Sequence, residues 1–510
     1  MTTLPPMRLR LMLASLLTVA FLGALDHTVV ATSLATIAGE LGALPQMGLV
    51  VVSYTLASTV ATPVVGRLGD LMDPRRVYLV GVVVFVAASL ACGFAQSMGT
   101  LVAARTVQGI GAAGIQLTAQ TLVAAVAAPR LRPRYLSIVG AAFPIAIVVG
   151  PVLGGIITDT LGWRWVFWIN VPLGAAALLA AAVAVPRLRP SARGRLDLLG
   201  AAAFAAAAVP LVLAVSWVGE DGGASPRVAA AAAFAAAGSV AFLASQARAA
   251  QPLLPPRFLR DRTLACCLVL SASIGVGLLS VVSYIPTYVQ MVFQTTVTVS
   301  GLVPIATVLG MLAASLTTGW LAGRSGRYRA VTAAGPVAAA VGLLGVAYVP
   351  VGAPLWVPMA LMALVGVGAG AYMNLVVAVV QSSVHPAETG AATSAVNLVR
   401  QLGVSVTAAV VGTAVGSGAA AALPAGVDAG GLTPDALRAL APAARAGVAD
   451  AYASAFSPVF LCLALVFVLA TAAAALMPAG RLPDEERGRG EAPAPLGGDP
   501  PEPPTTGVRP

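Results

Sequence analysis

The chain has 510 residues, 58% of them hydrophobic and 9% charged, with a mean hydropathy of +0.91 and a formal net charge of +10. A soluble domain carries about 25% charged residues, and apolar runs long enough to cross a bilayer recur from end to end, so a large soluble domain is excluded. All 29 basic residues are arginine; without lysine there is neither a GxxxxGK phosphate loop for an ATP-driven pump nor Schiff-base chemistry.

The first apolar run, 9–31, reads as an uncleaved span, because no small-residue cleavage site precedes Asp26. Asp26 is the single acid of that run. A charge at the bilayer centre costs about 2.5–3.5 kcal/mol on insertion scales, so such a group normally faces a water-filled cavity and moves protons or ions. A structural acid hydrogen-bonded to a neighbouring helix is the alternative.

Further spans are expected at 47–66, 77–95, 101–127, 135–157, 165–185, 196–217 and 227–246, then at 263–291, 299–322, 329–349, 354–378, 393–416 and 454–477, each close to the ~20 residues a bilayer requires. Spans 2 and 3 are joined by Gly66-Arg67-Leu68-Gly69-Asp70 and Arg75-Arg76. Span 4 contains Arg105, with Gln108 one turn away. An arginine in a span cannot lose its proton and needs a partner; Asp26 is the obvious one, and backbone carbonyls are the other option. Span 5 contains Gly150, Pro151, Gly154 and Gly155; small residues permit close helix approach and the proline kinks the helix. Trp163, Trp165 and Trp168 open span 6 as an interfacial aromatic belt, to which no transport role is assigned. Spans 7 and 8 are alanine-rich and bland, as lipid-facing spacers would be.

In the second half, Tyr284, Tyr288, Gln290 and Asn374 are polar groups within apolar runs and are candidates for lining a substrate cavity, with packing as the alternative. No acid falls within the expected spans 9–14. Residues 417–453 read as a long outer loop, with a short interfacial helix over 432–446. The four cysteines lie in apolar runs and read as small core residues. Two histidines, His27 and His385, with no cluster of His, Cys and acids, give no metal site.

Arginine placement tests this count. Arg164, Arg227, Arg438 and Arg445 fall on outer loops, Arg105 and Arg400 within spans, and the remaining 23 on the termini and even-numbered loops. That bias is the positive-inside pattern, and it fits membrane topology better than nucleic-acid binding. Glycine-rich turns at 66–70 and 319–323, each followed by arginines, mark a faint internal repeat. The expected fold is an all-α polytopic membrane protein with 14 transmembrane helices in a 6+2+6 layout and both termini cytoplasmic. The divisions are a first six-helix half at 1–190, two inserted helices and a linker at 191–260, a second half at 261–480, and a disordered tail at 481–510.

Several motifs carry a family resemblance over roughly residues 10–480. Leu25-Asp26-His27-Thr28-Val29-Val30, Gly66 to Arg76, Arg105-Thr-Val-Gln108-Gly109-Ile-Gly111 and Gly150-Pro151-Val-Leu-Gly154-Gly155 are similar to signatures of the major facilitator superfamily, in particular of its 14-span drug:proton antiporters. The resemblance implies proton coupling at Asp26 with Arg105 as its partner, and a cytoplasmic latch at Gly66, Asp70 and Arg75. It also implies an exporter's seam at Gly150, Pro151, Gly154 and Gly155. The latch departs from the pattern at Leu71 and at Asp73-Pro74. The function implied is alternating-access export of small hydrophobic drugs, antibiotics or toxic metabolites from a bacterial cell, across the plasma membrane, in exchange for protons. A monomer is expected, with the proton gradient in place of any cofactor. Gln108 joins Tyr284, Tyr288, Gln290 and Asn374 as a cavity candidate. The alternatives are a proton-coupled importer, a narrow natural-product or siderophore exporter, and a non-transporting receptor or enzyme.

Overall fold

A computed structural model describes residues 5–42, 46–221, 225–249, 251–424, 437, 440–478 and 480–482. Its described residues form 14 helices long and apolar enough to cross a membrane. In chain order they are α1 (Pro6–Glu40), α2 (Met47–Leu71), α3 (Pro74–Gly93), α4 (Met98–Val126), α5 (Pro129–Leu161), α6 (Arg164–Ala184), α7 (Leu198–Val218), α8 (Pro226–Arg248), α9 (Arg262–Val292), α10 (Leu302–Ser325), α11 (Arg329–Ala347), α12 (Trp356–Ser383), α13 (Pro386–Ala422) and α14 (Pro442–Leu476).

Local sequence sets many of the helix ends. Proline stands in the first turn of α1, α3 and α8, where its missing N–H costs nothing. The Asp73 carboxylate accepts from Arg75 N at 3.0 Å, and Asp261 accepts from Leu264 N at 2.9 Å, satisfying donors that a helix start leaves unpaired. Ser97 and Thr100 form a capping box at the start of α4. Large apolar side chains such as Leu179, Val183, Leu199 and Phe234 stay outward-facing and exposed. A belt of that kind on a long-helix bundle suits lipid rather than water.

The first six helices pack on one another, as do the last six, and the two sets meet along α2 with α13, α4 with α13, and α5 with α10 and α12. α7 packs against both α2 and α13, with Phe204 and Ala208 meeting Leu398. α8 leaves an apolar side exposed at Phe234, Val240 and Leu243, while α7 covers the seam between the halves.

Two boundaries move. Helix continues to Ala422 and resumes at Pro442, so the outer connection is much shorter than 417–453. Alanine carries the highest helix propensity, which is why an alanine-rich stretch of middling hydropathy is helical. Within the expected interfacial helix, 432–436 and 438–439 lie outside the described residues, and α14 already occupies 442–446. The longer α14 also brings Asp450 into a span, near its first end and exposed. Of the expected disordered tail, 483–510 lies outside the described residues. Residues 481 and 482 run along the α10–α11 turn, with Leu482 N donating to Gly326 O at 2.8 Å.

The arginine-rich segments gather at one end of the bundle. Arg8 Nε donates to Ala184 O at 3.1 Å, Ser191 N to Asp70 O at 3.0 Å, and Arg130 Nε to Gly323 O at 3.2 Å. The two halves are joined there. Arg132 Nη1 donates to Gln381 O at 3.0 Å, Gln381 Nε2 to Gln120 O at 3.1 Å, and Asn397 Nδ2 to Gln120 Oε1 at 2.8 Å. Higher up, α1 leaves His27, Ala31 and Ala35 exposed on one stripe. Its neighbours α2 and α5 both contact the other half.

Candidate functional site

Asp26 lies in a closed polar cluster built by four helices. It is 1% exposed, and Arg105, Gln108, Asn170 and Ser89 around it are at most 1% exposed. Arg105 and Gln108 are three residues apart on α4, a spacing that puts both side chains on one helix face. Arg105 Nη1 forms an ion pair with Asp26 Oδ2. Gln108 Nε2 and Asn170 Nδ2 donate to Asp26 Oδ1 at 2.9 and 3.0 Å. Both amides also reach Ser89 Oγ, at 3.2 and 2.9 Å, and Ser89 donates to Phe167 O at 2.9 Å.

Arg105 is held on its remaining sides as well. Its Nη1 donates to Gln108 Oε1 at 2.8 Å and its Nε to Val50 O at 3.4 Å. The guanidinium lies 4.2 Å from the Tyr54 ring centroid, a cation–π contact in a desolvated place. Tyr54 in turn faces the exposed ring of His27, with centroids 6.1 Å apart. The Asp26 carboxylate thus has an ion pair and two neutral donors, an arrangement matched to its charged form. The Tyr54–His27 pair borders the cluster on the α2 side.

Asn170, Ser89 and Tyr54 are absent from the expected site. Asn170 falls in the segment read as an aromatic belt without transport role, and it is bonded to Asp26. A polar amide inside an apolar span was the available signal. Gln108, expected to line a substrate cavity, is instead 0% exposed and bound to Asp26.

The α5 glycines let α5 lie against α1. A Cβ on Gly150 would fall 2.0 Å from Thr28 Oγ1, and one on Gly154 would fall 2.3 Å from Thr32 Oγ1. Thr28 Oγ1 donates to Ala146 O at 3.2 Å across the same seam. Pro151 is exposed within the helix, and Gly155 has open space where a Cβ would be. The contact surface therefore consists of Gly150 and Gly154 alone among the four.

Asp70 and Arg75 do not form a pair across the halves. The Asp70 carboxylate accepts from Gly390 N at 2.8 Å and Ala391 N at 3.0 Å, capping the first turn of α13. Gly66 lets α2 come close, since a Cβ there would sit 2.8 Å from Gly390 O. Arg75 reaches Ala182 O within the first half. Arg67 bridges as well, donating to Gln251 Oε1 at 3.1 Å and to Ala387 O at 3.5 Å. Replacing Asp70 by Ala is expected to weaken this junction by about 1–2 kcal/mol, from a lost cap and a lost charge at a helix start. Spin labels at the arginine-rich ends of α2 and α13 would report the separated population, about five- to thirtyfold enriched; an unchanged distance distribution would refute the clamp.

The second-half candidates do not converge on Asp26. Tyr284 Oη donates to Ala408 O at 2.6 Å, tying α9 to α13. Tyr288 is 2% exposed, packed edge-on against Phe456 and Phe460; the expected cavity position gives way to an aromatic core. Gln290 Nε2 donates to Ser300 Oγ at 2.8 Å. Asn374 Nδ2 donates to Ser315 Oγ at 2.9 Å, beside Gly140 where α5 and α12 meet.

Comparison with known proteins covers most of the chain. The family model for the Major Facilitator Superfamily matches residues 16–408. An uncharacterized MFS-type transporter of Mycobacterium tuberculosis is 36% identical over 91% of this chain and 69% of its own length. The multidrug transporter protein MdtP of Bacillus subtilis is 29% identical over 77% of this chain and 73% of its own. Among solved structures, that of the human organic anion transporter MFSD10 (TETRAN) superposes with a TM-score of 0.63 at 16% identity, covering 92% of this chain and all of that one.

Proposed function

The chain belongs to the major facilitator superfamily, and on that premise we propose that it is a proton-coupled antiporter that exports small hydrophobic compounds across the bacterial plasma membrane. The observation that carries this reading is the buried Asp26 with its three donors, Arg105, Gln108 and Asn170. A proton arriving at Asp26 competes with Arg105 for the same carboxylate. Arg105 cannot give up its own charge, so protonation of Asp26 frees a cation that must find new partners. That is a local electrostatic event able to bias α1 against α4, and with them the halves.

Direction follows from two further features. The arginine-rich end corresponds to the cytoplasm by the positive-inside rule, and the halves are joined at that end. The conformation is then the outward-facing one, in which Asp26 would exchange with external protons through His27 and the cleft. The Gly150–Gly154 seam supports export, since it resembles the exporter signature. A multidrug relative favours a drug or toxic metabolite as cargo.

The test is purified protein in proteoliposomes with an internal pH dye, under an imposed proton gradient, with a panel of hydrophobic antibiotics and dyes. A compound that dissipates the gradient while moving against the protons supports antiport. Uptake in the same direction as the protons would overturn it in favour of an importer.

A further inference from the structure

A second charge is buried in the bundle, and the proton site does not use it. Arg400 on α13 is 6% exposed. Among the described residues, its hydrogen bond goes to Asn397 Oδ1 and none of the ion pairs includes it. Arg105 has a carboxylate; Arg400 has an amide oxygen. A cation in a membrane span without a counter-ion is costly, and such residues mark substrate or ion paths.

Its position on α13 is specific. Thr393, Asn397 and Arg400 follow one another at four and three residues and share a face of α13. Thr393 and Asn397 form the polar plug with Gln381 and Gln120 where the halves close. Arg400 stands one turn above that plug, on the side away from the arginine-rich end of the bundle. On α4, Gln116 likewise stands one turn above Gln120 and is exposed. Thr62, Gln116, Asn397 and Gln401 border a recess between α2, α4 and α13. Gln401 Oε1 is buried there with no hydrogen-bond partner. Gln116 is eight residues along α4 from Gln108, about 12 Å at helical rise, so this floor is separate from the Asp26 cluster.

We propose that Arg400 is the docking point for a negatively charged group of the substrate, and that the cargo is an amphiphilic organic anion or zwitterion bearing a carboxylate or similar anionic oxygen. The guanidinium offers a planar fork of donors that fits a carboxylate with two parallel hydrogen bonds. The unpartnered Gln401 oxygen, next along α13 and bordering the recess, accepts a hydroxyl or ammonium donor from the same molecule. The apolar remainder of the ligand lies in the cleft above. This rests on the reading of the protein as a transporter whose cargo enters between the halves.

The experiment measures binding of pyrenebutyrate and naphthoxyacetate, each against its neutral amide, to the full chain in nanodiscs. Wild type is expected to hold each acid about tenfold or more tighter than its amide, the range for hydrogen bonds to a charged group. Arg400→Gln is expected to reduce that ratio to about one and to melt no lower than wild type, because it removes an unpaired buried charge. Arg400→Lys, which keeps the charge without the fork, retains part of the preference. Equal binding of acid and amide, no binding of either, a preference that survives Arg400→Gln, or a lower melting point for that variant overturns the proposal. Proton flux is recorded on the same preparations in liposomes. An acid preference without proton flux refutes antiport and leaves the docking point standing; proton flux without the preference does the reverse.

Discussion

Asp26→Asn is expected to abolish proton-driven efflux while leaving the cleft able to bind cargo. The substitution keeps the shape of the side chain and both neutral neighbours, Gln108 and Asn170, at 2.9 and 3.0 Å. It removes the one group of the cluster that can exchange a proton, since Arg105 stays charged throughout. Cargo then equilibrates down its own gradient instead of being concentrated. The measurement is substrate-induced proton flux and counterflow in parallel, with the pH dye inside proteoliposomes. Counterflow that persists while proton flux disappears is the expected result; concentrative efflux by Asp26→Asn would remove Asp26 from the coupling step. The variant also leaves Arg105 without its counter-ion, and breaking a buried pair costs about 3–5 kcal/mol. Monodispersity must therefore be checked, and Asp26→Glu serves as the companion that restores a titratable group.

The charged residues of the site were legible in the sequence because charge is rare here. In a chain with 9% charged residues, an acid at position 26 and an arginine at 105 stand out against apolar runs, and hydrocarbon forces them to seek each other. The 14 spans were legible for the same reason. Neutral polar partners were not. Ser89, Tyr54 and Asn170 have ordinary spacing, and their convergence depends on how α2, α3 and α6 rotate about their axes. Hydropathy carries no record of that rotation. The surroundings of Tyr288 and Asn374 were illegible on the same ground: an aromatic or amide in a span is compatible with a core, a crossing or a cavity, and only the fold shows Tyr288 against Phe456 and Asn374 against Ser315. The latch segment differs. Asp70 lies where the halves meet, its partner is the backbone N–H pair of Gly390 and Ala391, and no motif match reveals a backbone donor.

Arg105→Met is expected to be the most destabilising single change in the cluster, and the comparison with a double variant identifies the reason. Methionine preserves much of the stem's packing on Tyr54 and Phe167 but leaves Asp26 with no cationic partner. Removing one member of a buried ion pair costs about 3–5 kcal/mol, chiefly because the other charge is stranded. If that is the cause, Asp26→Asn placed on top of Arg105→Met removes the stranded charge and recovers most of the loss. The double variant should then melt above the Arg105→Met single, because the pair's interaction energy offsets the two single losses instead of letting them add. If Arg105 instead served mainly to hold Val50 O, the two losses would add and the double variant would melt lowest. Thermal unfolding of the four proteins in one detergent separates these outcomes. Recovery would mean that Asp26 and Arg105 act as one charge-neutral unit, which is the condition under which a single arriving proton unbalances the bundle and can move it.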